Sequence, residues 1–229
     1  MQNAESLKKL AGEKAAESVS SGMVVGLGTG STVYYTILKL AQLVRTGELE
    51  IIGIPTSKAT EKLAVSDGIK LGTLDEYQAI DVTIDGADEV APNLDLIKGM
   101  GGALLREKVV ASVSKQVIIV ADDSKSVTIL GTKSPLPVEV LPFALATVKS
   151  KLDEMCQEAT LRIRNGHTFQ SDNGNYIIDC KFESIREPRK LEAELNLIPG
   201  VVENGLFLGT ATKAILGTKD GIKIMEQVI

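Results

Sequence analysis

Four short stretches of the chain carry side chains able to do acid–base or anion-binding work: "GLGTGST" from Gly26, "DGADE" from Asp85, "IKGMGGALLREK" from Ile97 and "ADDSK" from Ala121. In the first, glycines alternate with hydroxyl residues between the apolar run Met23-Val24-Val25 and a long amphipathic segment. A strand-to-helix turn of this kind aims the amides and hydroxyls of Thr29, Gly30, Ser31 and Thr32 at an anion. Ser31 acting only as a helix N-cap accounts for the same residues without a ligand. The glycine spacing is G-x-G-x-G rather than G-x-G-x-x-G, and "IIGIPTS", the next strand, ends in hydroxyls where a dinucleotide site needs an acid. No lysine follows Gly30, so a Walker loop is excluded too.

The second stretch places Asp85 and Asp88 three apart in a loop, with Gly86 and Ala87 between them and Glu89 alongside. Two such carboxylates can hold a metal or act as an acid–base pair; they can also form a solvated acidic turn. In the third, Lys98 is followed by Gly99, Met100, Gly101 and Gly102, a glycine density that implies backbone lying close against something. Glu107 follows on a helix starting near Ala103. Its helical neighbours Ala103, Leu104, Val110 and Ala111 are all apolar, while Arg106 and Lys108 point elsewhere. A carboxylate on that stripe is expected to be buried, with its pKa raised toward the range of a general base. Lys125 ends the fourth stretch and supplies a second positive charge.

These residues need a scaffold, and the hydrophobic pattern describes one. Up to about residue 130, short strands ("MVVGLG", "IIGIPTS", "AIDVTIDGAD", "QVIIVADDSK") alternate with helical segments ("STVYYTILKLAQLV", "SKATEKLAVSDG", "GALLREKVVASVS"). Near-continuous Val/Ile strands separated by helices predict an α/β fold, a Rossmann-like parallel sheet covered on both faces. Ligands in such sheets sit beyond the carboxyl ends of the strands, where all four polar clusters fall, Thr56-Ser57-Lys58 included. From the proline-rich "TKSPLPVEVLP" the pattern becomes β-α-β-β-α-β, through "PVEV", "FALATVKSKLDEM", "ATLRIR", "YIIDCKF", "PRKLEAELNLI" and "GVVENGLFL". That order predicts a ferredoxin-like α+β domain at 134–208, inserted into a catalytic α/β domain of 1–133 plus 209–229. The tail "ATKAILGTKDGIKIMEQVI" is expected to return to the large domain.

Composition removes several classes. The 229 residues are 44% hydrophobic and 24% charged with a net charge of −5, so no nucleic-acid surface is expected. His167 is the one histidine, beside the turn residues Asn165-Gly166, so histidine catalysis and histidine-ligated zinc are not expected. Cys156 and Cys180 lack CxxC spacing and suggest reduced structural thiols. No apolar run reaches the about 20 residues of a membrane span. The N-terminal "MQNAESLKKLAGEKAAESV" has the pattern of a helix rather than a leader, and a cytoplasmic location is the expectation.

Taken in order, "GLGTGST", "SKATEKL", "DGADEV", "IKGMGGALLREK", "ADDSK", "PLPVEV", "DNGN" and "IPGVVENGLF" resemble the motifs of the type A ribose-5-phosphate isomerase family. The resemblance implies interconversion of D-ribose 5-phosphate and D-ribulose 5-phosphate through an enediolate, with no metal or organic cofactor. It implies Glu107 as the base moving a proton between C1 and C2, with Asp85, Asp88 and Lys98 opening the furanose ring and shuttling hydroxyl protons. Lys98 would also stabilise the enediolate. Thr29, Gly30, Ser31 and Thr32 would hold the phosphate; Lys125 and the backbone of Gly99, Met100 and Gly101 would complete the cradle. Met100 stands where bacterial members commonly have glycine, which assigns the role there to backbone. A homodimer or homotetramer is the corresponding assembly; the insertion of the small domain as a separate unit, not the resemblance, is what suggests that it makes the subunit contact. Two rival functions fit parts of the pattern: a Mg²⁺-dependent sugar phosphotransferase or phosphatase using Asp85 and Asp88, and a non-catalytic sugar-phosphate-binding regulator. The latter usually adds a helix-turn-helix domain, for which no segment is left over.

Overall fold

The computed structural model describes residues 4–227; the first three residues of the expected N-terminal helix and the last two of the expected C-terminal tail lie outside them. The chain runs through α1 (Ala4–Ala16), β1 (Val24–Leu27), α2 (Val33–Arg45), β2 (Ile52–Pro55), α3 (Lys58–Ser66) and β3 (Val82–Gly86). A short excursion through β4 (Glu89–Val90) and β5 (Leu96–Ile97) leads into α4 (Leu104–Ser112) and β6 (Val117–Asp122). Next come β7 (Leu136–Val140), α5 (Leu145–Met155), β8 (Glu158–Leu161), β9 (Ile163–Arg164), β10 (His167–Thr168), β11 (Tyr176–Lys181), α6 (Pro188–Asn196) and β12 (Val201–Asn204). β13 (Leu206–Phe207), β14 (Lys213–Thr218) and β15 (Gly221–Glu226) complete the described chain.

Six strands form the main sheet in the order β15-β14-β6-β3-β1-β2, all parallel except β15. β6 is buried along its whole length, as a strand with helices on both faces must be. On α2, Val33, Ile37, Leu40 and Ala41 recur at helical spacing and bury one stripe against this core. β1 lies between β2 and β3, so successive connections leave it in opposite directions and open a crevice at the carboxyl ends of β1 and β3. The turn beginning at Gly28 and the stretch from Asp85 to Asp88 are at those two ends.

A second sheet, β12-β7-β11-β8, is antiparallel throughout and carries α5 and α6 in the ferredoxin-like order. Its core is Val138, Val140, Val148, Leu152, Ile178 and Leu195. Asn165 and Gly166 have φ of 54° and 78°, which turns β9 into β10 through a type I′ hairpin and leaves His167 exposed. Two expected strands are interrupted. "ATLRIR" breaks at Arg162, and "GVVENGLFL" divides between β12 and β13, which belong to different sheets. At the second break Asn204 Oδ1 accepts a hydrogen bond from Leu206 N at 3.0 Å, a local bond that competes with the strand ladder. β13 instead joins β5 and β4 in a three-stranded sheet that alternation alone did not indicate. Among the described residues no helix is long and apolar enough to cross a membrane.

Glu89 belongs to this framework. It is fully buried, and its carboxylate accepts from the amides of Gly131 at 2.7 Å and of Lys133 and Ser134 at 2.6 Å each. Removing it strands three inward-facing amides. Glu89→Ala is expected to cost at least about 3 kcal/mol, read as a lower urea midpoint at unchanged m-value, whereas a variant within about 0.5 kcal/mol of wild type contradicts this role.

Candidate active site

Asp85, Lys98 and Glu107 form a buried cluster, 2%, 3% and 4% exposed. Asp85 is the penultimate residue of β3, not part of a loop. Its Oδ1 accepts from Gly86 N at 2.7 Å and Thr29 N at 3.1 Å, while Oδ2 lies 3.0 Å from Lys98 Nζ. Gly28 makes this possible: a Cβ there would stand 2.2 Å from Asp85 Oδ1 and 2.5 Å from its Cα. Lys98 follows β5, held by its backbone N–H to Gly205 O at 2.9 Å. Its ammonium donates to Gly86 O at 2.6 Å, approaches Glu107 Oε2 at 3.3 Å and stands 5.3 Å from the ring centre of Phe207.

Glu107 occupies the first turn of α4, among the buried Leu104, Val110 and Ala111 expected from the apolar stripe. Its Oε2 receives no hydrogen bond; the contact with Lys98 is an ion pair without hydrogen-bond geometry. Burial, and then the charge of Asp85, push the Glu107 carboxyl up to about 8 against the pull of Lys98. Burial pushes Asp85 up as well, opposed by Lys98 and the two amides. The Lys98 ammonium is disfavoured by burial, but Asp85 and Glu107 more than offset this and hold its pKa above the ordinary value.

A cavity of about 140 Å³ opens onto the cluster. Its lining brings the buried Glu107 and Lys98 together with Asp88, Gly86, Ala87, Gly99 and Gly101, and with Thr29, Gly30, Ser31, Thr32, Lys125 and Lys8. Asp85 stands behind Lys98 and does not line it. Met100, expected to complete the cradle, does not line the cavity: the residue is 39% exposed, and its N–H donates to Asp88 Oδ2 at 3.0 Å. Where α2 meets the cavity it has no side-chain cap; Thr32, not Ser31, is at the N-cap position, with helical angles. The amides of Gly30, Ser31 and Thr32 meet no acceptor among the described residues, so the helix N-terminus is open to an anion. Lys8 and Lys125 have no carboxylate partner among the described residues.

Two expectations are corrected. The Thr29 hydroxyl is turned away from the cavity into a cluster with Thr56 and Ser57, at 2.8 Å each, and Thr60 at 3.2 Å. Thr56-Ser57-Lys58 therefore serves the scaffold: Ser57 Oγ caps α3 by accepting from Thr60 N at 3.1 Å, and Lys58 N donates to Asp172 Oδ2 at 2.7 Å. Lys8 was not legible as a site residue. Leu7, Ala11 and Ala15 mark the inner face of α1, and Lys8 borders that face, but only the docked helix shows which cavity it reaches. A larger cleft of about 590 Å³, bordered by Leu71, Leu74, Leu105 and Val109, lies on another face of α4; it is mostly aliphatic and contains none of the clustered acids, so the chemistry belongs to the smaller cavity.

An uncapped helix terminus and two lysines, lining one small cavity together with a carboxylate of raised pKa, define an α/β enzyme for small phosphorylated substrates. The family model described as ribose 5-phosphate isomerase A (phosphoriboisomerase A) matches residues 52–221. Ribose-5-phosphate isomerase A of Gloeobacter violaceus is 50% identical over 220 residues, covering 96% of this chain and 95% of its own. That of Bacillus mycoides is 52% identical over 218 residues, covering 95% and 98%. A D-ribose-5-phosphate isomerase solved in complex with phospho-erythronic acid superposes with a TM-score of 0.95 at 43% identity, over 98% of this chain and 100% of that one. The isomerase A of Methanocaldococcus jannaschii gives 0.92 at 44% identity, with the same coverages. The chain belongs to the ribose 5-phosphate isomerase A family.

The raised Glu107 pKa has a stability consequence. The unfolded carboxyl ionises near 4.5 and the folded one near 8, so this group lowers stability progressively as pH rises between those values. Glu107→Gln, neutral throughout, is expected to melt with wild type near pH 4.5 and at least about 3 °C above it at pH 8. Parallel melting curves at both pH values would show that Glu107 ionises normally in the folded chain.

Proposed function

We propose that the chain interconverts D-ribose 5-phosphate and D-ribulose 5-phosphate through an enediolate, with Glu107 as the base. The observation that carries this assignment is the buried Glu107 carboxylate beside the Lys98 ammonium, lining the same small cavity as an open helix N-terminus. The phosphate binds the amides of Gly30, Ser31 and Thr32, with Lys8 and Lys125 supplying counter-charge. Asp88, on the cavity wall, exchanges a proton with the ring oxygen and the C1 hydroxyl to give the open-chain aldose. Glu107 removes the proton from C2 and returns it to C1, while Asp88 and Lys98 carry the O2 hydroxyl proton to O1, so that C1 gains a hydroxyl as C2 becomes the carbonyl.

Lys98 couples these events. Its three contacts are Asp85, Gly86 O and the looser one to Glu107. As Glu107 takes the C2 proton it loses its charge and its hold on Lys98, while negative charge grows on the substrate oxygens. The ammonium then turns to the enediolate without crossing water, a preorganised stabilisation of the kind that dominates such barriers. Asp85 keeps Lys98 charged and fixed. Both Asp85 oxygens are engaged by Thr29, Gly86 and Lys98, and one Asp88 oxygen by Met100, which does not suit an open Mg²⁺ ligand set. Phospho-erythronic acid, with a planar carboxylate head and a phosphate tail, resembles the enediolate and is expected to inhibit this chain. The active form is proposed as a cytoplasmic homodimer or homotetramer, supported by the large exposed apolar side chains of Phe143 and Leu197.

The deciding assay is ribulose 5-phosphate formation from ribose 5-phosphate in the presence of EDTA. Wild type is expected to be fully active, and Glu107→Gln to lose at least about 10³-fold in kcat. The kcat/KM of wild type should fall tenfold per pH unit below about 8, because the base must be ionised. Activity that requires added Mg²⁺ would overturn the proposal, and an active Glu107→Gln would move the base to another residue. Lys125→Met should raise KM about tenfold or more with kcat within a factor of about three, the signature of lost phosphate binding; an unchanged KM would remove Lys125 from the phosphate site.

A further inference from the structure

Arg162 lies in the break between β8 and β9, outside the cavity, yet its side chain is only 7% exposed. Its backbone is fixed from both sides: its N–H donates to Ile177 O at 2.8 Å, and its carbonyl accepts from Phe169 N at 2.9 Å. The guanidinium is gripped by Asp179, with Nε donating to Oδ2 at 2.8 Å and Nη2 to Oδ1. From this anchored position Nη1 reaches out of its own sheet and donates to Gly99 O at 2.8 Å and Met100 O at 3.2 Å. Phe169 closes the contact. Its ring lies 5.8 Å from the Arg162 guanidinium carbon and fills the space beside Gly102, where a Cβ would come within 2.3 Å of it.

A trans peptide points its carbonyl and its N–H in opposite directions. Pinning Gly99 O outward therefore sends the Met100 N–H inward, where it donates to Asp88 Oδ2 at 3.0 Å. Pinning Met100 O turns the next N–H, that of Gly101, the same way. Gly101 lines the cavity, and its N–H meets no acceptor among the described residues. One planar fork, itself locked by a carboxylate, thus sets two donors of the sugar end: one holds Asp88 in place and one is left for a substrate oxygen.

We propose that Arg162, oriented by Asp179, is a positioning residue for the isomerase reaction, fixing the Gly99–Gly101 backbone so that Asp88 and the Gly101 amide face the sugar. The inference rests on the assignment of this cavity as the isomerase site. Arg162 touches nothing at the phosphate end, so its loss acts on the sugar end alone.

The test is steady-state kinetics and inhibition of Arg162→Met, Arg162→Lys and Asp179→Asn, with Glu107→Gln assayed alongside. Arg162→Met is expected to lower kcat about 10- to 100-fold, the cost of a small misplacement of reacting groups. KM for ribose 5-phosphate and Ki for inorganic phosphate should stay within about threefold, while Ki for phospho-erythronic acid rises about tenfold. Arg162→Lys keeps one donor and should recover part of kcat; Asp179→Asn should show a weaker form of the same split. Unchanged kcat in Arg162→Met with an inactive Glu107→Gln overturns the inference alone. Wild-type activity that requires added Mg²⁺ overturns the isomerase assignment beneath it. Parallel loss of kcat and inorganic-phosphate affinity, in proportion to the folded fraction by circular dichroism, reduces Arg162 to a structural role and also overturns the inference. If Arg162→Met does not fold, Arg162→Lys decides: the same kcat-selective loss supports the role, and wild-type kcat overturns it.

Discussion

One buried ammonium shared by two buried carboxylates is the interaction on which the rest depends. Removing an ion from water costs several kcal/mol even after the protein relaxes, and Asp85, Lys98 and Glu107 are all nearly solvent-free. The cluster is tolerable because each charge meets another and because Asp85 is satisfied by two backbone amides. It is not balanced: with all three ionised there is one negative charge too many. That surplus makes Glu107 hungry for a proton near neutrality, which is what a base needs if it is to take one from carbon.

On the proposed assignment, the fold meets the two ends of the substrate by different physical means. At the phosphate end, two half-buried lysines without a carboxylate partner and an open helix terminus line the cavity, so their attraction is screened by salt. At the sugar end the charges are fixed, dry and supplied by one continuous piece of chain, from Asp85 through β4 and β5 to Lys98 and on to Glu107. The β4–β5 excursion does not strengthen the main sheet. Its effect is to carry Lys98 away from β3 and back again, so that its ammonium returns to the carbonyl of Gly86. Glu89, at the root of this excursion, fastens it to the chain beyond β6 through three amides.

How much of this could be seen in the sequence follows from the range of each interaction. The alternation of apolar strands and helices is local, and it indicated both sheets. The apolar neighbours of Glu107 are set by helical geometry, and they indicated its burial. What local pattern could not convey was direction. Thr29 has the right hydroxyl in the right turn, but its partners Thr56, Ser57 and Thr60 come from another strand end, and only their assembly shows the hydroxyl pointing away. Lys8 and Arg162 look unremarkable in their own segments. Each acquires its place from docking against residues far along the chain: α1 on the main sheet for Lys8, and the second sheet on the Gly99–Gly102 loop for Arg162. Strands as short as β4, β5 and β13 carry too few residues for a period of two to register.

The glycine at position 28 has a consequence for what the crevice will admit. In dinucleotide-binding folds the corresponding bare backbone lets a pyrophosphate approach the turn. Here the approach is taken by the protein's own anion, the Asp85 carboxylate, packed against the Gly28 backbone. A pyrophosphate entering along that route would meet a fixed negative charge in a low-dielectric wall, and only the neighbouring turn at Gly30–Thr32 remains open to a phosphoryl group. The same carboxylate that holds Lys98 charged therefore acts as a filter, closing this route to a pyrophosphate and leaving the turn at Gly30–Thr32 for a single phosphoryl group.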